Sequence, residues 1–197
     1  GDAEVLEQVY PHLESLDPHL RLETMAGLLR SGEIEGTLAA SEKLIALLNS
    51  PSPAERAFAA QVLGEAGVRG FYRPLLRLLR DDDWQVRRSA LAAAGKLKSP
   101  QAWPAVIESL ASPKTRSAAV AALAAGGSGA LAELKLALSG AGRDREVLIR
   151  LARICGRIGG DEAIAVLKER LDYPDEEVRA QVLAGLSQCG YQAVSRD

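Results

Sequence analysis

Residues 82–95, DDWQVRRSALAAAG, decide the fold of this chain, because related versions of the stretch recur along it. Arg87 marks the register of the repeated unit, and the equivalent positions, called anchors below, lie 29 to 35 residues apart. The other anchors are Arg21, Arg56, Arg116, Leu148 and Arg179. A recurring period in this range predicts a repeat architecture, in which each unit contacts its neighbours and the whole presents an extended surface.

Composition narrows the class of protein. Of the 197 residues, 47% are hydrophobic and only 4% aromatic, so we expect a core of Ala and Leu between closely packed helices. The net charge of −2 argues against a general nucleic-acid binder. No apolar run approaches the roughly 18 residues of a membrane span. Because Gly1 stands where an initiator Met is expected, we predict that residues 1–197 form a single repeat domain excised from a larger protein.

Apolar residues after each anchor recur at steps of three and four, which predicts helices, and no segment shows the alternation of a strand. Gly32, Gly67 and Gly159 stand where helices are expected to end, and Pro residues mark the turns that follow. Asp81 to Asp83 are expected to cap a helix start. The pattern predicts twelve helices, at 3–15, 18–30, 34–49, 53–66, 70–80, 83–97, 100–111, 114–125, 128–139, 144–158, 161–171 and 175–189.

The stretch 82–91 with Gly95, and again 175–183, resembles the HEAT-like repeat also seen in phycobilisome lyase subunits. The resemblance is weaker at the first, fourth and fifth repeats, where Leu148 replaces the usual Arg. It implies an all-α fold, a right-handed α-solenoid of about six HEAT-like helical pairs. The helix that carries the anchor would be the inner one and would line a concave face. The six pairs would span 3–30, 34–66, 70–97, 100–125, 128–158 and 161–189.

By that geometry, variable and mostly polar positions around each anchor would line the concave face. The candidate partner-binding residues are Phe58, Trp84, Arg88, Lys96, Lys114, Arg150, Arg153 and Arg157. The last three lie at i, i+3 and i+7, so they share one helix face. Basic residues predominate in repeats three to five and acidic ones at both ends, a distribution suited to an acidic segment. The alternatives are an ordinary solvated surface for the arginines and packing between repeats for Trp84.

The remaining polar groups favour structural roles. We expect Cys155 and Cys189 to be free thiols that pack as small hydrophobic residues, with a disulfide or reactive thiol as the alternative. The anchor arginines are expected to bridge adjacent repeats through loop aspartates. No catalytic constellation, metal-ligand cluster or phosphate-binding glycine loop is visible in the sequence, so we predict no cofactor and no metal.

The leading functional hypothesis is a non-catalytic scaffold that binds an acidic segment in its concave groove. The partner would be another protein or another domain of the parent chain, in the cytoplasm or on the cytoplasmic side of a membrane protein. The resemblance also permits a subunit of a bilin lyase for phycobiliproteins. Nucleic-acid binding, as in HEAT-like DNA glycosylases, has support only from the basic groove and Trp84, and the overall charge weighs against it.

Overall fold

The computed structural model describes residues 8–140 and 142–192, the side chain of Arg69 excepted. Within these residues the chain forms eleven α-helices, three short 3-10 segments and no β-strand. The α-helices are α1 (Pro18–Ser31), α2 (Ile34–Leu48), α3 (Pro53–Ala66), α4 (Tyr72–Leu79), α5 (Trp84–Leu97), α6 (Trp103–Glu108), α7 (Arg116–Gly126), α8 (Ser128–Ser139), α9 (Arg145–Ile158), α10 (Gly160–Lys168) and α11 (Glu176–Gln188). The predicted all-α fold class is therefore confirmed.

The predicted helix boundaries differ mainly where 3-10 segments replace α-helix. Of the predicted helix 3–15, residues 3–7 lie outside the described residues, and Tyr10–Glu14 is a 3-10 segment. Pro11 lies inside the predicted helix, where it donates no backbone hydrogen bond and its ring disfavours α-helix, and short segments favour i→i+3 bonds such as Ser15 N–H to the His12 carbonyl. Two other predicted helices likewise begin with 3-10 turns, at Arg69–Phe71 and Pro100–Ala102.

The helices form two compact units, one ending at Ala102 and one beginning at Trp103. In the first unit the anchor-bearing helices α1, α3 and α5 pack side by side, and α2 and α4 back them. In the second unit α7, α9 and α11 pack side by side, and α6, α8 and α10 back them. Each unit thus has the predicted arrangement of helical pairs, while a single domain across residues 1–197 stays a prediction.

Local signals set the helix ends. The side chains of Asp17, Asp83, Asp144 and Asp175 accept hydrogen bonds from the first-turn N–H groups of α1, α5, α9 and α11. These caps satisfy donors that have no partner inside the helix, and the carboxylates complement the helix dipole. Gly32 and Gly67, which follow α1 and α3, adopt the left-handed conformation at φ 73° and 67°, as predicted for helix-ending glycines.

Four anchor arginines make the same pair of hydrogen bonds. Each guanidinium donates to the backbone carbonyls six and five residues earlier, at the end of the preceding backing helix or in the turn after it. The acceptors are Ser50 and Pro51 for Arg56, Asp81 and Asp82 for Arg87, Leu110 and Ala111 for Arg116, and Tyr173 and Pro174 for Arg179. The recurrence of Arg thus reflects a fixed geometry between each backing helix and the anchor helix that follows it.

Arg56 also makes the predicted bridge to the next repeat. Its Nε and Nη2 donate to the two carboxylate oxygens of Asp81 at 2.7 and 2.9 Å. The hydrogen bonds from Arg56 hold the pKa of the Asp81 carboxyl below its usual value, although burial acts in the opposite direction. A bidentate pair of this kind fixes the orientation of both partners as well as their separation.

The anchor helices approach closely where small residues meet. A Cβ added at Gly64 of α3 would lie 3.0 Å from the Ala93 Cα of α5, and one at Gly156 of α9 would lie 2.8 Å from the Gly185 Cα of α11. Gly64 and Gly156 stand eight residues after their anchors, and Ala93 and Gly185 six residues after theirs. The same contact therefore recurs in both units, and only small residues permit it.

Both cysteines are free thiols, as predicted. Cys155 is buried, and burial raises its pKa to about 12. Cys189 is half-buried, and its Sγ lies 3.8 Å from the Gly156 carbonyl oxygen. Cys155 therefore behaves as a small hydrophobic core residue.

Candidate functional site: two grooves between anchor helices

The groove between α7 and α9, in the second unit, brings together the three arginines that the sequence placed on one helix face. Its volume is about 470 Å³. Helix α9 contributes Arg150, Arg153 and Arg157. Their side chains enter the same groove because positions i, i+3 and i+7 lie on one face of a helix. The complete lining is Pro113, Arg116, Ser117, Val120, Arg150, Arg153, Ile154 and Arg157. Of the two apolar residues on this list that come from α7 and α9, Val120 is half-buried, whereas Ile154 is buried with 1% exposed.

The four guanidinium groups of this α7–α9 groove differ in their internal partners. Arg116 is held by the carbonyls described above, and Arg150 Nη2 donates to Glu146 Oε2 at 2.9 Å. Arg153 Nη2 donates to the neutral Gln181 Oε1 at 3.0 Å. Among the residues that the structure describes, no acceptor lies within hydrogen-bond distance of Arg157. Arg153 and Arg157 therefore keep positive charge that no carboxylate of the described chain neutralises.

In the second unit, Arg145 partly neutralises the carboxylates at the start of α11, which belong to the acidic end of the predicted charge pattern. Arg145 Nη1, at the start of α9, lies 3.3 Å from Glu177 Oε1 and 4.0 Å from Asp175 Oδ2 at the start of α11. These exposed pairs contribute little stability. They do remove Arg145 from the set of cations available to a partner.

A second groove, between α3 and α5 in the first unit, contains the predicted Trp84, Arg88 and Lys96. Its volume is about 440 Å³. The lining is Leu22, Gln61, Gly64, Glu65, Trp84, Gln85, Arg88, Ser89, Ala92, Ala93 and Lys96. Lys96 Nζ forms an ion pair with Glu65, so this α3–α5 groove has mixed rather than basic character. Trp84, half-buried beside Arg88, gives it one aromatic side chain.

The position predicted for Phe58 is wrong, because its side chain is buried, with 8% exposed, rather than open to the surface. The guanidinium of Arg21 covers the ring, with Cζ 4.1 Å from the ring centroid. Lys114 is exposed in the turn before α7, and its neighbour Pro113, rather than Lys114, contributes to the α7–α9 groove.

Sequence reasoning missed three members of the α7–α9 groove. Arg116 was assigned a purely structural role because it is an anchor, yet it also lines the groove. Val120 and Ile154 lie outside the positions predicted to be open. The signal that points to Ile154 is its size, since the equivalent residues in the third and sixth repeats are Ala93 and Gly185.

Neither a metal site nor a membrane span is found in the described part of the chain. No group of three or more His, Cys, Asp or Glu residues in that part is arranged to hold a metal ion. No helix there is both long and apolar enough to cross a bilayer.

Comparison with known proteins supports the repeat assignment. A family model of HEAT repeats matches residues 41–124. No curated protein sequence matches the chain significantly. A similar solved structure is the complex of CpcE and CpcF of phycocyanin lyase from Nostoc sp. PCC7120, with 25% identity, 94% of this chain and 77% of that chain covered, and a TM-score of 0.49.

Two designed proteins are similar at the same level. One is an engineered protein with 21% identity, 93% of this chain and 96% of that chain covered, and a TM-score of 0.45. The other is a designed armadillo repeat protein in complex with the peptide (KR)4, with 21% identity, coverages of 92% and 98%, and a TM-score of 0.45. The HEAT-repeat match over residues 41–124, together with the recurring helical pairs and anchor contacts, supports a HEAT-like repeat fold for this chain.

Proposed function

We propose that this chain is a non-catalytic protein-interaction scaffold whose α7–α9 groove binds an acidic segment of a protein partner. Helical repeat proteins present extended surfaces that typically bind other proteins. The observation that carries the proposal is the lining of the α7–α9 groove, which contains four arginines and no carboxylate among the described residues. Arginine-rich surfaces with an apolar floor suit a segment that carries carboxylates on both sides of an aliphatic or aromatic side chain.

The division of roles within the groove follows from the internal contacts. Arg153 and Arg157 would pair with the carboxylates of the segment, because no carboxylate of the described chain neutralises them. Arg150 would contribute less, since Glu146 already accepts its hydrogen bond. Val120, which is half-buried, would contact the apolar side chain. Trp84 and Arg88 remain candidate contacts in the separate α3–α5 groove.

Peptides of defined sequence test this proposal. Labelled peptides of about 12 residues would carry Asp or Glu around one Leu or Phe, with matched versions that carry Lys in place of the acids. We expect the chain to bind the acidic peptides in fluorescence anisotropy, more weakly at about 300 mM salt than at about 50 mM, and not to bind the Lys versions.

Charge reversal in the groove provides the second arm. Arg157→Glu is expected to weaken binding about tenfold or more by placing like charges together. Arg143→Glu, in the exposed turn before α9, makes the same change of charge in the same unit and is expected to leave binding within about twofold. Equal losses in the two variants, or no binding of any acidic peptide, would rule out the α7–α9 groove as the site.

The bilin lyase subunit remains the alternative hypothesis. Mixing the chain with a bilin and an apo-phycobiliprotein, with and without a candidate partner subunit, tests it. Transfer of bilin in any combination would replace the scaffold proposal.

A further inference from the structure

The backing helix α2, in the first unit, carries an apolar row that faces away from the core. The exposed fractions of Ile34, Leu38 and Ile45 are 84%, 60% and 58%. Together with the small, half-buried Ser41, these residues occupy positions i, i+4, i+7 and i+11, within about 60° of arc around the helix. The buried face of α2 is a different one, formed by Gly36, Ala40, Leu44 and Leu48. A continuous exposed row at this spacing is the pattern by which one helix packs along another.

Charge is distributed unevenly along this α2 row. Glu33 and Glu35, both exposed, lie at the end that begins with Ile34. At the other end a depression of about 310 Å³ contains Ile45 together with Arg73 and Arg77 of α4, and no carboxylate lines it. Glu42 borders the row between these ends. Arg77 is held in place by Asn49 Oδ1 at 3.0 Å and by the Leu48 carbonyl.

This surface is complementary to itself. If two α2 helices pack antiparallel about a twofold axis, Ile34 of one copy meets Ile45 of the other, and Leu38 meets Ser41. The same operation places Glu33 and Glu35 of each copy beside Arg73 and Arg77 of the other. We therefore propose that the α2 row is a homodimer interface, in which a second copy of this chain is the partner. This interface is independent of the α7–α9 groove.

The size of the surface sets the strength of the dimer. A helix of 15 residues is about 22 Å long, so a single pair of helices buries less than the roughly 1,200 Å² of a standard interface. We expect a reversible dimer that forms with rising concentration, and that weakens with salt because ion pairs flank the apolar seam.

Sedimentation of the full chain across a concentration series tests the interface. Wild type is expected to shift from monomer towards dimer. Leu38→Glu, at the centre of the row, is expected to raise the dimerisation Kd at least about tenfold by burying a charge in the seam. The matched control is Leu136→Glu on α8, because Leu136 is exposed to a similar extent, 65%. This variant is expected to dimerise like wild type. Circular dichroism of both variants serves to check that each one folds.

A charge exchange identifies the orientation. Glu35→Arg and Arg73→Glu are each expected to weaken the homodimer, because each places like charges at both ends of the seam. An equimolar mixture of the two variants restores opposite charges at both ends, so it is expected to form a heterodimer. The interface is refuted if wild type stays monomeric at every concentration, if Leu38→Glu dimerises as well as Leu136→Glu, or if the mixture gains no dimer.

Discussion

The close approach of α9 and α11 makes Gly156→Ala the sharpest test of the packing. A Cβ at position 156 would lie 2.8 Å from the Gly185 Cα and 3.3 Å from the Gly185 carbonyl oxygen. These are backbone atoms, which cannot move aside as the end of a side chain can. The two helices must therefore separate, and in this way the substitution tests whether the repeat depends on small residues at the helix contact.

The expected loss of stability follows from two opposing terms. Overpacking a well-packed contact costs about 1–3 kcal/mol. Alanine in place of glycine inside a helix returns about 0.5–1 kcal/mol. The middle values of the two terms leave a net destabilisation of about 1 kcal/mol, and for a chain of this size each kcal/mol lowers Tm by about 2–4 °C. We therefore expect Gly156→Ala to lower Tm by about 2–4 °C.

Thermal denaturation followed by circular dichroism measures this shift. Gly129→Ala is the matched control, because it lies in a helix of the same unit and a Cβ there meets nothing within 4 Å. Its Tm is expected to stay the same or to rise slightly. Gly185→Ala is expected to lose less stability than Gly156→Ala, since its nearest atoms, the movable Leu167 Cδ1 at 3.1 Å and the backbone Ala152 oxygen at 3.2 Å, both lie farther away than 2.8 Å. If Gly156→Ala melts at or above the temperature of the Gly129 variant, the close contact of α9 and α11 is not as described.

Two further predictions concern titratable groups. The folded-state pKa of Asp81 is lowered, so its pair with Arg56 adds its full share to the free energy of unfolding above the unfolded pKa of about 3.9 and loses it as pH falls through the folded pKa. In urea unfolding between about pH 6 and pH 3, the stability difference between wild type and Asp81→Asn should shrink towards low pH. A constant difference would contradict the coupling. Because burial raises the pKa of Cys155 to about 12, a thiol reagent at about pH 8 should leave Cys155 unlabelled in the folded chain and react slowly with Cys189. In urea the reagent should label both thiols. Labelling of both at equal rates before unfolding would contradict the buried position of Cys155.

Local signals explain why most of the fold could be predicted from the sequence. The helices at Pro53–Ala66, Trp84–Leu97 and Arg145–Ile158 end within one residue of the predicted 53–66, 83–97 and 144–158. Their apolar period, their Asp or Pro starts, and the glycines that follow the first and third of them are properties of neighbouring residues, which do not depend on the rest of the molecule. The three 3-10 segments were missed because the period alone does not distinguish i→i+3 from i→i+4 bonding over a single turn.

Phe58 shows why the site was harder to predict than the fold. The equivalent position is polar in most other repeats, so a rule averaged over the repeats places Phe58 on the surface. In the first repeat, however, Arg21 stacks over the Phe58 ring instead of making the two carbonyl contacts of the other anchor arginines. The burial of Phe58 thus depends on a neighbouring repeat that departs from the common pattern, and no local signal reports it.

Departures from the repeat also determine what each groove can bind. Between α3 and α5 the residues at the recurring contact are Gly64 and Ala93, so the floor of that groove is close to the backbone and its sides carry the Lys96–Glu65 pair. Between α7 and α9 the equivalent residues are Ala124 and Ile154.

These larger side chains prevent the close approach seen between α9 and α11, and α7 contacts α9 less extensively as a result. The α7–α9 groove then carries the half-buried Val120 and, besides the anchor Arg116, three arginines of α9 that make no anchor contacts. A HEAT-like chain keeps its fold through the residues that all repeats share. Its binding specificity must therefore come from the residues that differ, and the α7–α9 groove is where size and charge differ together.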